Sequence, residues 1–123
     1  MGTIELTEAT FDEVLAQNDI VFVDWWAAWC GPCRAFAPVF EKVAGEHPDI
    51  VFGKVDTEAS PSLAGSAGIR SIPTLMVFRE KLLLFSQAGA LPAAALEDLV
   101  KQVRELDMDQ VRRAVAEHAA AGS

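Results

Sequence analysis

The chain has 123 residues, of which 51% are hydrophobic and 23% are charged, so it can bury the core of one domain without structural disulfide bonds. Its formal net charge of −8, with no basic patch, excludes nucleic acid as the expected partner. No apolar run approaches the roughly 18 residues of a membrane span, and the first residues lack a secretory signal pattern, so a cytoplasmic protein is expected.

The first predicted elements are a helix, a buried strand and a longer helix. Thr10 and Glu13 have the spacing of a capping box, which predicts that a helix begins at Phe11. The run DIVFVDWWAAW, residues 19–29, is almost continuously apolar, as in a central strand buried on both faces. Apolar residues then recur at helical spacing, and Pro38 inside this stretch should kink the helix.

The long helix is predicted over residues 33–45. The remaining predicted elements are a strand, a short helix, a pair of strands and a closing helix, at residues 49–56, 59–67, 73–78, 82–89 and 91–106. This alternation predicts an α/β fold with a mixed sheet. The turn in FREKLLLF lacks the Asn-Gly or Asp-Gly usual in tight hairpins, so either Glu80 and Lys81 adopt unfavourable φ values or the loop is longer.

The two cysteines of the chain, Cys30 and Cys33, lie where the buried strand ends and the long helix begins. Four interpretations of this pair are possible: a structural disulfide, half of a metal site, a pair of inert thiols or a redox centre. Cα atoms three residues apart in a helix are separated by about 5 Å, which is within the range of a disulfide. Free N–H groups at a helix start favour a thiolate, and Pro32 lies where its missing N–H is harmless.

Three of these interpretations fit the sequence poorly. A persistent structural disulfide is not expected in a reducing cytoplasm. A zinc site needs four ligands, but the chain has no second cysteine pair, and His47 and His118 lie in unrelated stretches. Inert thiols are not expected at a helix start, because that environment activates them. The sequence therefore predicts a redox centre.

The chain resembles the thioredoxin family in four segments that follow the order and spacing of the family. WCGPCR matches the active-site motif, and VDWWA, GIRSIPT and AGAL match three further segments. The resemblance covers about residues 3–104 and implies the thioredoxin fold, a central mixed sheet with helices on both faces, in a domain of residues 1–106. It also implies a protein-disulfide reductase in which Cys30 is the nucleophile and Cys33 the resolving thiol.

Further residues receive roles by this resemblance. Asp24 is a carboxylate within the buried strand, and the matching acid of the family handles the proton of the second cysteine; a carboxylate that reaches solvent at the strand end is the alternative. Lys54 matches the lysine beside that acid, or it simply faces solvent. Trp25 and Trp26 are interpreted as packing residues. The residues matching the substrate-binding surface are Trp29, Gly31, Pro32, Ile72, Pro73, Gly89 and Ala90, with Pro73 implied to be cis.

The resemblance also implies partners, namely proteins with disulfides and a separate NADPH-dependent flavoprotein reductase that restores the dithiol. No cofactor of its own is expected, because the chain has no G-x-G-x-x-G turn for a flavin or nicotinamide. A monomer is expected. Two rival functions are a binding module whose thiols stay idle and an enzyme that forms or isomerises disulfides. The binding module is disfavoured because it would need neither the cysteine pair nor Asp24 and Pro73. The Gly-Pro between the cysteines is the reducing signature of the family, so it favours a reductant over an enzyme that forms or isomerises disulfides.

The segment after the resemblance, residues 107–123, is predicted to form an added helix outside the catalytic domain. Asp107 and Asp109 are candidate N-caps. An apolar stripe at spacings of three and four is formed by Met108, Val111, Val115 and His118. Because this stripe is narrow, packing on the domain's own surface is favoured over docking of a partner or a second copy of the chain.

Overall fold

The structure, a computed structural model, describes residues 2–121 of the chain. Within this range the elements are β1 (Ile4–Glu5), α1 (Phe11–Gln17), β2 (Ile20–Trp26), α2 (Gly31–Glu46), β3 (Val51–Asp56), α3 (Pro61–Ser66), β4 (Thr74–Arg79), β5 (Leu82–Ala88), α4 (Ala93–Glu105) and α5 (Met108–Ala121). Strands and helices alternate along most of the chain, as predicted.

The strands of the described range form one mixed sheet in the order β1-β3-β2-β4-β5. β1 and β2 run parallel to β3, whereas β4 is antiparallel to both β2 and β5. β2 is central and is buried as far as Asp24 and Trp25, with only Trp26 partly exposed. The continuous apolar run therefore predicts this strand correctly.

Helices cover both faces of the sheet, which confirms the predicted fold class. On one face α2 and α4 enclose a core with the β2 residue Phe22. On the other face α1 and α3 pack against Trp25 and its neighbours. Because side chains alternate along a strand, Asp24 lies on the same face as Phe22, under α2.

Several local predictions are wrong. Strand β1 lies outside the predicted elements, because two residues are too few to show a periodic pattern. The capping box at Thr10 does not form, since the Thr10 hydroxyl accepts a hydrogen bond from the Thr7 N–H and does not cap α1. Helix α2 begins at Gly31, two residues before the predicted start, whereas its continuation through Pro38 agrees with the prediction.

The turn between β4 and β5 contains two residues in the left-handed region. Glu80 has φ 52° and Lys81 has φ 68°, and the strands on either side pair from Arg79 and Leu82 onward. Of the two alternatives for this turn, the short one with unfavourable φ values is therefore correct. In most tight hairpins, glycine, asparagine or aspartate occupies these two positions.

Replacing Lys81 with glycine should stabilise the protein, because a side chain at this φ costs about 1 kcal/mol that glycine avoids. The expected gain stays below about 1 kcal/mol, since glycine also adds freedom to the unfolded chain. Urea unfolding at neutral pH measures it. A matched control is Lys101→Gly on the exposed side of α4, which should lose about 1 kcal/mol. If Lys81→Gly lowers the free energy of unfolding as much as Lys101→Gly does, the turn is not strained at Lys81.

Helix α5 is attached to the domain mainly through its first turns. The Asp107 carboxylate accepts hydrogen bonds from the N–H groups of Asp109 and Gln110, so Asp107, not Asp109, is the N-cap. Met108 is buried, but Val115 is 46% exposed. In the described part of the chain, no helix combines the length and the apolar character needed to cross a membrane.

Candidate active site

Cys30 and Cys33 form a disulfide at the start of α2, with their Cα atoms 5.2 Å apart. This distance agrees with the separation expected from their spacing. Cys30 is the N-cap of the helix and has extended backbone, while Pro32 occupies the first turn. The Cys30 sulfur accepts a hydrogen bond from the Cys33 N–H at 3.2 Å. The sulfur of Cys30 therefore lies where the helix presents its free N–H groups.

Exposure does not distinguish the two cysteines, because Cys30 is 4% and Cys33 is 3% exposed in this disulfide form. Their positions do distinguish them. A thiolate at Cys30 would keep the N–H of Cys33 as a donor and would face the positive end of the α2 dipole. Cys33 lies inside the first turn, where its own N–H is already used by Cys30. The helix start thus favours Cys30 as the ionised thiol.

The loop before β4 packs beside Cys30. The carbonyl oxygen of Ile72 lies 3.6 Å from the Cys30 sulfur, and the Ile72–Pro73 peptide bond is cis, as the resemblance implies. The Pro73 carbonyl accepts a hydrogen bond from the Gly89 N–H at 2.8 Å. This bond holds the residue that follows β5 beside the Ile72–Pro73 segment. Gly89 has φ 102°, a conformation that favours glycine.

An apolar surface surrounds the cysteines. Trp29 is 67% exposed, which is unusual for so large an apolar side chain. It lines a groove of about 200 Å³ together with Ile72 and Arg70. Gly31, Pro32 and Ala90 are exposed, while Pro73 is buried. The structure therefore places Ile72 against the disulfide and Trp29 in the groove that Ile72 also lines, while Gly31 and Pro32 lie between the cysteines. Pro73 follows Ile72 and is hydrogen-bonded through its carbonyl to Gly89, the residue before Ala90.

Asp24 is fully buried. Within residues 2–121, neither of its carboxylate oxygens has a hydrogen-bond partner. Burial raises the pKa of the Asp24 carboxyl from 3.8 to about 7, and the positive charge of Lys54 opposes part of this rise. In this structure the carboxylate therefore does not reach solvent at the strand end, and a pKa of about 7 would allow it to exchange a proton near neutral pH.

Lys54 lies directly beside Asp24, as its register partner on β3. It is half-buried, and its ammonium lies 5.0 Å from the centroid of the Trp26 ring. Trp26 in turn packs against the cluster that contains Cys30 and Cys33. The sequence-based interpretation of Trp26 as only a packing residue does not include these contacts. The signal for them is its position two residues after Asp24, which places both side chains on the same face of the sheet.

A second group of side chains lies at the opposite end of α2, where the ligand atoms of Glu46, His47 and Glu97 are within 4.8 Å of one another. Arg104 donates a hydrogen bond to Nδ1 of His47 at 3.1 Å, so Nε2 carries the ring proton. Nε2 lies 3.3 Å from the Glu97 carboxylate. A metal at Nε2 would leave an N–H on Nδ1 against the Arg104 donor. Hydrogen bonds therefore account for the orientation of this histidine without a metal.

Comparisons with known proteins agree on one family. The family model described as Thioredoxin matches residues 2–102. Putative thioredoxin 2 of Streptomyces coelicolor is 58% identical over 119 residues, which are 97% of this chain and 89% of that protein, so the match extends into α5. Thioredoxin 1 of Synechococcus elongatus is 47% identical over 93 residues, 74% of this chain and 87% of that protein. Among solved structures, a mutant thioredoxin from Halobacterium salinarum has a TM-score of 0.77 at 34% identity, covering 85% of this chain and 91% of that one.

Proposed function

This chain belongs to the thioredoxin family and is a thiol–disulfide oxidoreductase that acts on protein disulfides, and we propose that Cys30 is its attacking thiolate and Cys33 its resolving thiol. The observation that carries this assignment is the position of the Cys30 sulfur at the N-cap of α2, where it accepts a hydrogen bond from the Cys33 N–H. Such a position stabilises a thiolate, which is the reactive form in disulfide exchange.

The proposed reaction transfers two electrons in two exchange steps. The Cys30 thiolate attacks one sulfur of the substrate disulfide, so that an S–S bond forms between enzyme and substrate while the substrate S–S bond breaks. The departing substrate thiolate takes a proton from solvent. The Cys33 thiol then loses its proton and attacks the Cys30 sulfur, which releases the second substrate thiolate. The enzyme is left with the Cys30–Cys33 disulfide seen in the structure.

Asp24 is proposed as the group that accepts the Cys33 proton, through a water molecule. Its support is that the carboxyl is buried on the face of the sheet covered by α2, the helix that carries Cys33. Burial raises the pKa of Asp24 to about 7, so its protonation can change at neutral pH. Lys54 is proposed to adjust this proton exchange through its positive charge, because it neighbours Asp24 across β2 and β3.

The substrate-binding surface is proposed to be the apolar rim around Cys30. Trp29 offers a large exposed ring, and the Ile72–Pro73 segment lies against the attacking sulfur, where it can receive extended substrate backbone. Apolar contacts of this kind accept many sequences, which suits an enzyme with varied protein substrates. The proposed rim consists of Trp29, Gly31, Pro32, Ile72, Pro73, Gly89 and Ala90.

A separate reductase is proposed to restore the dithiol. Each turnover leaves the disulfide of the structure, so an external source of two electrons is required, and an NADPH-dependent flavoprotein thioredoxin reductase fits this need. The cytoplasm is the proposed location, because a reducing compartment maintains the dithiol form. A monomer is proposed, since the large exposed apolar residues of the described range lie on or beside different elements of the fold: Ile4, Trp29, Leu83, Leu106 and Val115.

Reaction of the reduced protein with a limiting amount of iodoacetamide tests the assignment of the two thiols. We expect carboxamidomethylation at Cys30, mapped by mass spectrometry, with a rate that reaches half its maximum below about pH 8.5, where an ordinary thiol ionises. A matched measurement on Cys30→Ser should show slow labelling of Cys33. Preferential labelling of Cys33 in the parent protein would overturn the assignment.

Residues 1–106 are proposed to form the catalytic domain and residues 107–123 a helical extension; residues 1, 122 and 123 lie outside the described range. The match to the family model ends at residue 102, and Met108 is the buried apolar side chain of α5. Arg112 of α5 also forms an ion pair with Glu80 in the β4–β5 turn. This contact is exposed, and the β4–β5 turn lies at the Ile20 end of β2, whereas the cysteines follow the other end of that strand. The extension is therefore proposed to have no part in catalysis.

Deleting residues 107–123 should leave disulfide reduction nearly unchanged and lower the free energy of unfolding by about 1 to 3 kcal/mol, because the main buried side chain that is lost is Met108. Reduction of insulin and urea unfolding measure the two effects. Met108→Ala in the full chain is the matched control and should lose a similar amount of stability. If the shortened protein stays folded but cannot reduce substrates, the domain boundary is wrong.

A further inference from the structure

Trp26 contacts both Lys54 and the cluster of side chains around the two cysteines. Its ring centroid is 5.0 Å from the Lys54 ammonium, and its side chain packs against the cluster that contains Cys30 and Cys33. We propose that Trp26 is a positioning residue whose ring holds the Lys54 ammonium beside the buried Asp24 carboxyl, and so sets the pH at which that carboxyl exchanges its proton. This inference rests on the proposed role of Asp24.

The geometry of the sheet brings the three side chains to one face. Asp24 and Trp26 are two residues apart on β2, so their side chains point to the same side. Lys54 is paired in register with Asp24 on the parallel strand β3, which places its side chain on that side as well. This is the side covered by α2, because Phe22 on the same face packs in a core with Phe36.

The ammonium lies over the Trp26 ring and makes no hydrogen bond to the Asp24 carboxylate. Within the described range, the oxygens of Asp24 have no hydrogen-bond partner, so Lys54 acts on them through space. A tryptophan face is the strongest aromatic partner for an ammonium group. Lys54 is half-buried, and without the ring its flexible side chain would extend to water. The ring therefore keeps a positive charge near Asp24 that would otherwise move away.

Lys54 is the charged group that influences Asp24. Burial raises the pKa of Asp24 and the Lys54 charge lowers it, so the two effects together give about 7. On the other side of β2, the register partner of Asp24 is the uncharged Leu75. On α2, Cys33 is the buried titratable group, and it does not titrate in the disulfide form, while Arg34, Glu41, Lys42 and Glu46 are exposed. Displacement of the Lys54 ammonium is therefore expected to move the Asp24 titration.

Titration of the Asp24 carboxyl by carbon-13 NMR in the oxidised full-length protein tests this proposal, because the disulfide removes the cysteines from the titration. Trp26→Leu should raise the midpoint by about half a pH unit or more, and Trp26→Phe, which keeps a weaker aromatic face, should give a smaller rise. Trp25→Phe is the matched control. It lies on the opposite face of the sheet, against Phe11, and should leave the midpoint unchanged.

The same substitutions in a Lys54→Met protein complete the test. Lys54→Met alone should raise the midpoint, and adding Trp26→Leu should then produce little further change, because the ring acts through the ammonium. A shift of equal size with and without Lys54, or a fall in the midpoint of Trp26→Leu, would overturn the proposal. Failure of the parent protein to reduce disulfides would instead remove the proposed role of Asp24, whatever the NMR titration shows, so the two failures are distinguishable.

Discussion

A Cys33→Ser variant should accumulate protein substrates as stable mixed disulfides with Cys30. The serine hydroxyl cannot attack the Cys30–substrate bond, so the first exchange step occurs and the second does not. Steady-state reduction should fall by more than about 10²-fold, since each enzyme molecule stops after one attack. Non-reducing electrophoresis detects the complex, and peptide mapping identifies the cysteine that carries it.

The matched control for this experiment is Cys30→Ser. It keeps Cys33 in the first turn of α2 but removes the Cys30 sulfur, which accepts a hydrogen bond from the Cys33 N–H. This variant should form almost no mixed disulfide, because Cys33 lies inside the first turn, where its own N–H points to position 30 and does not stabilise its thiolate. If Cys30→Ser traps substrates and Cys33→Ser does not, the nucleophile is Cys33.

An Asp24→Asn variant should be more stable than the parent at pH 8 and should resolve mixed disulfides more slowly. Burial raises the pKa of Asp24 from 3.8 to about 7, so between these values the folded protein holds a proton that the unfolded chain releases. The parent therefore loses stability as pH rises from about 4 to about 7, by up to roughly 4 kcal/mol. An amide has no charge to bury, so the variant should avoid this loss.

Urea unfolding of Asp24→Asn and parent from pH 4 to pH 8 measures this effect, and stopped-flow kinetics measures resolution, which should slow by roughly ten- to hundredfold. Glu5→Gln, on the exposed edge strand β1, is the matched control and should retain the pH dependence of the parent. Equal stability of the parent and Asp24→Asn at pH 8 would mean that Asp24 is hydrated in solution. Its proposed role in proton transfer would then be lost.

Patterns that depend on neighbouring residues predict much of the fold and the centre of the site. The continuous apolar run predicts β2, and Asp24 within it predicts a buried carboxylate, because strand alternation fixes the side of the sheet. The spacing of Cys30 and Cys33 predicts the 5.2 Å between their Cα atoms, because the geometry of a helix start fixes it. These features depend on local geometry, which the sequence specifies directly.

Features that depend on tertiary contacts are not predictable in this way. The contact of Lys54 with Trp26 requires the register of β2 against β3 and the conformation of a long side chain. The approach of His47 to Glu97 requires the packing of α2 on α4. The Glu80–Lys81 turn is ambiguous from sequence, because neither residue favours the φ values that the strand pairing imposes.

The number of protein disulfides reduced per enzyme molecule tests the central claim most directly. Insulin is supplied in large excess, dithiothreitol provides the electrons, and the rate is compared with that of Cys30→Ser at equal concentration. We expect many insulin molecules to be reduced per molecule of the parent, and no acceleration over dithiothreitol alone with Cys30→Ser. No acceleration by the folded parent protein would contradict the claim and would favour a binding module whose thiols stay idle.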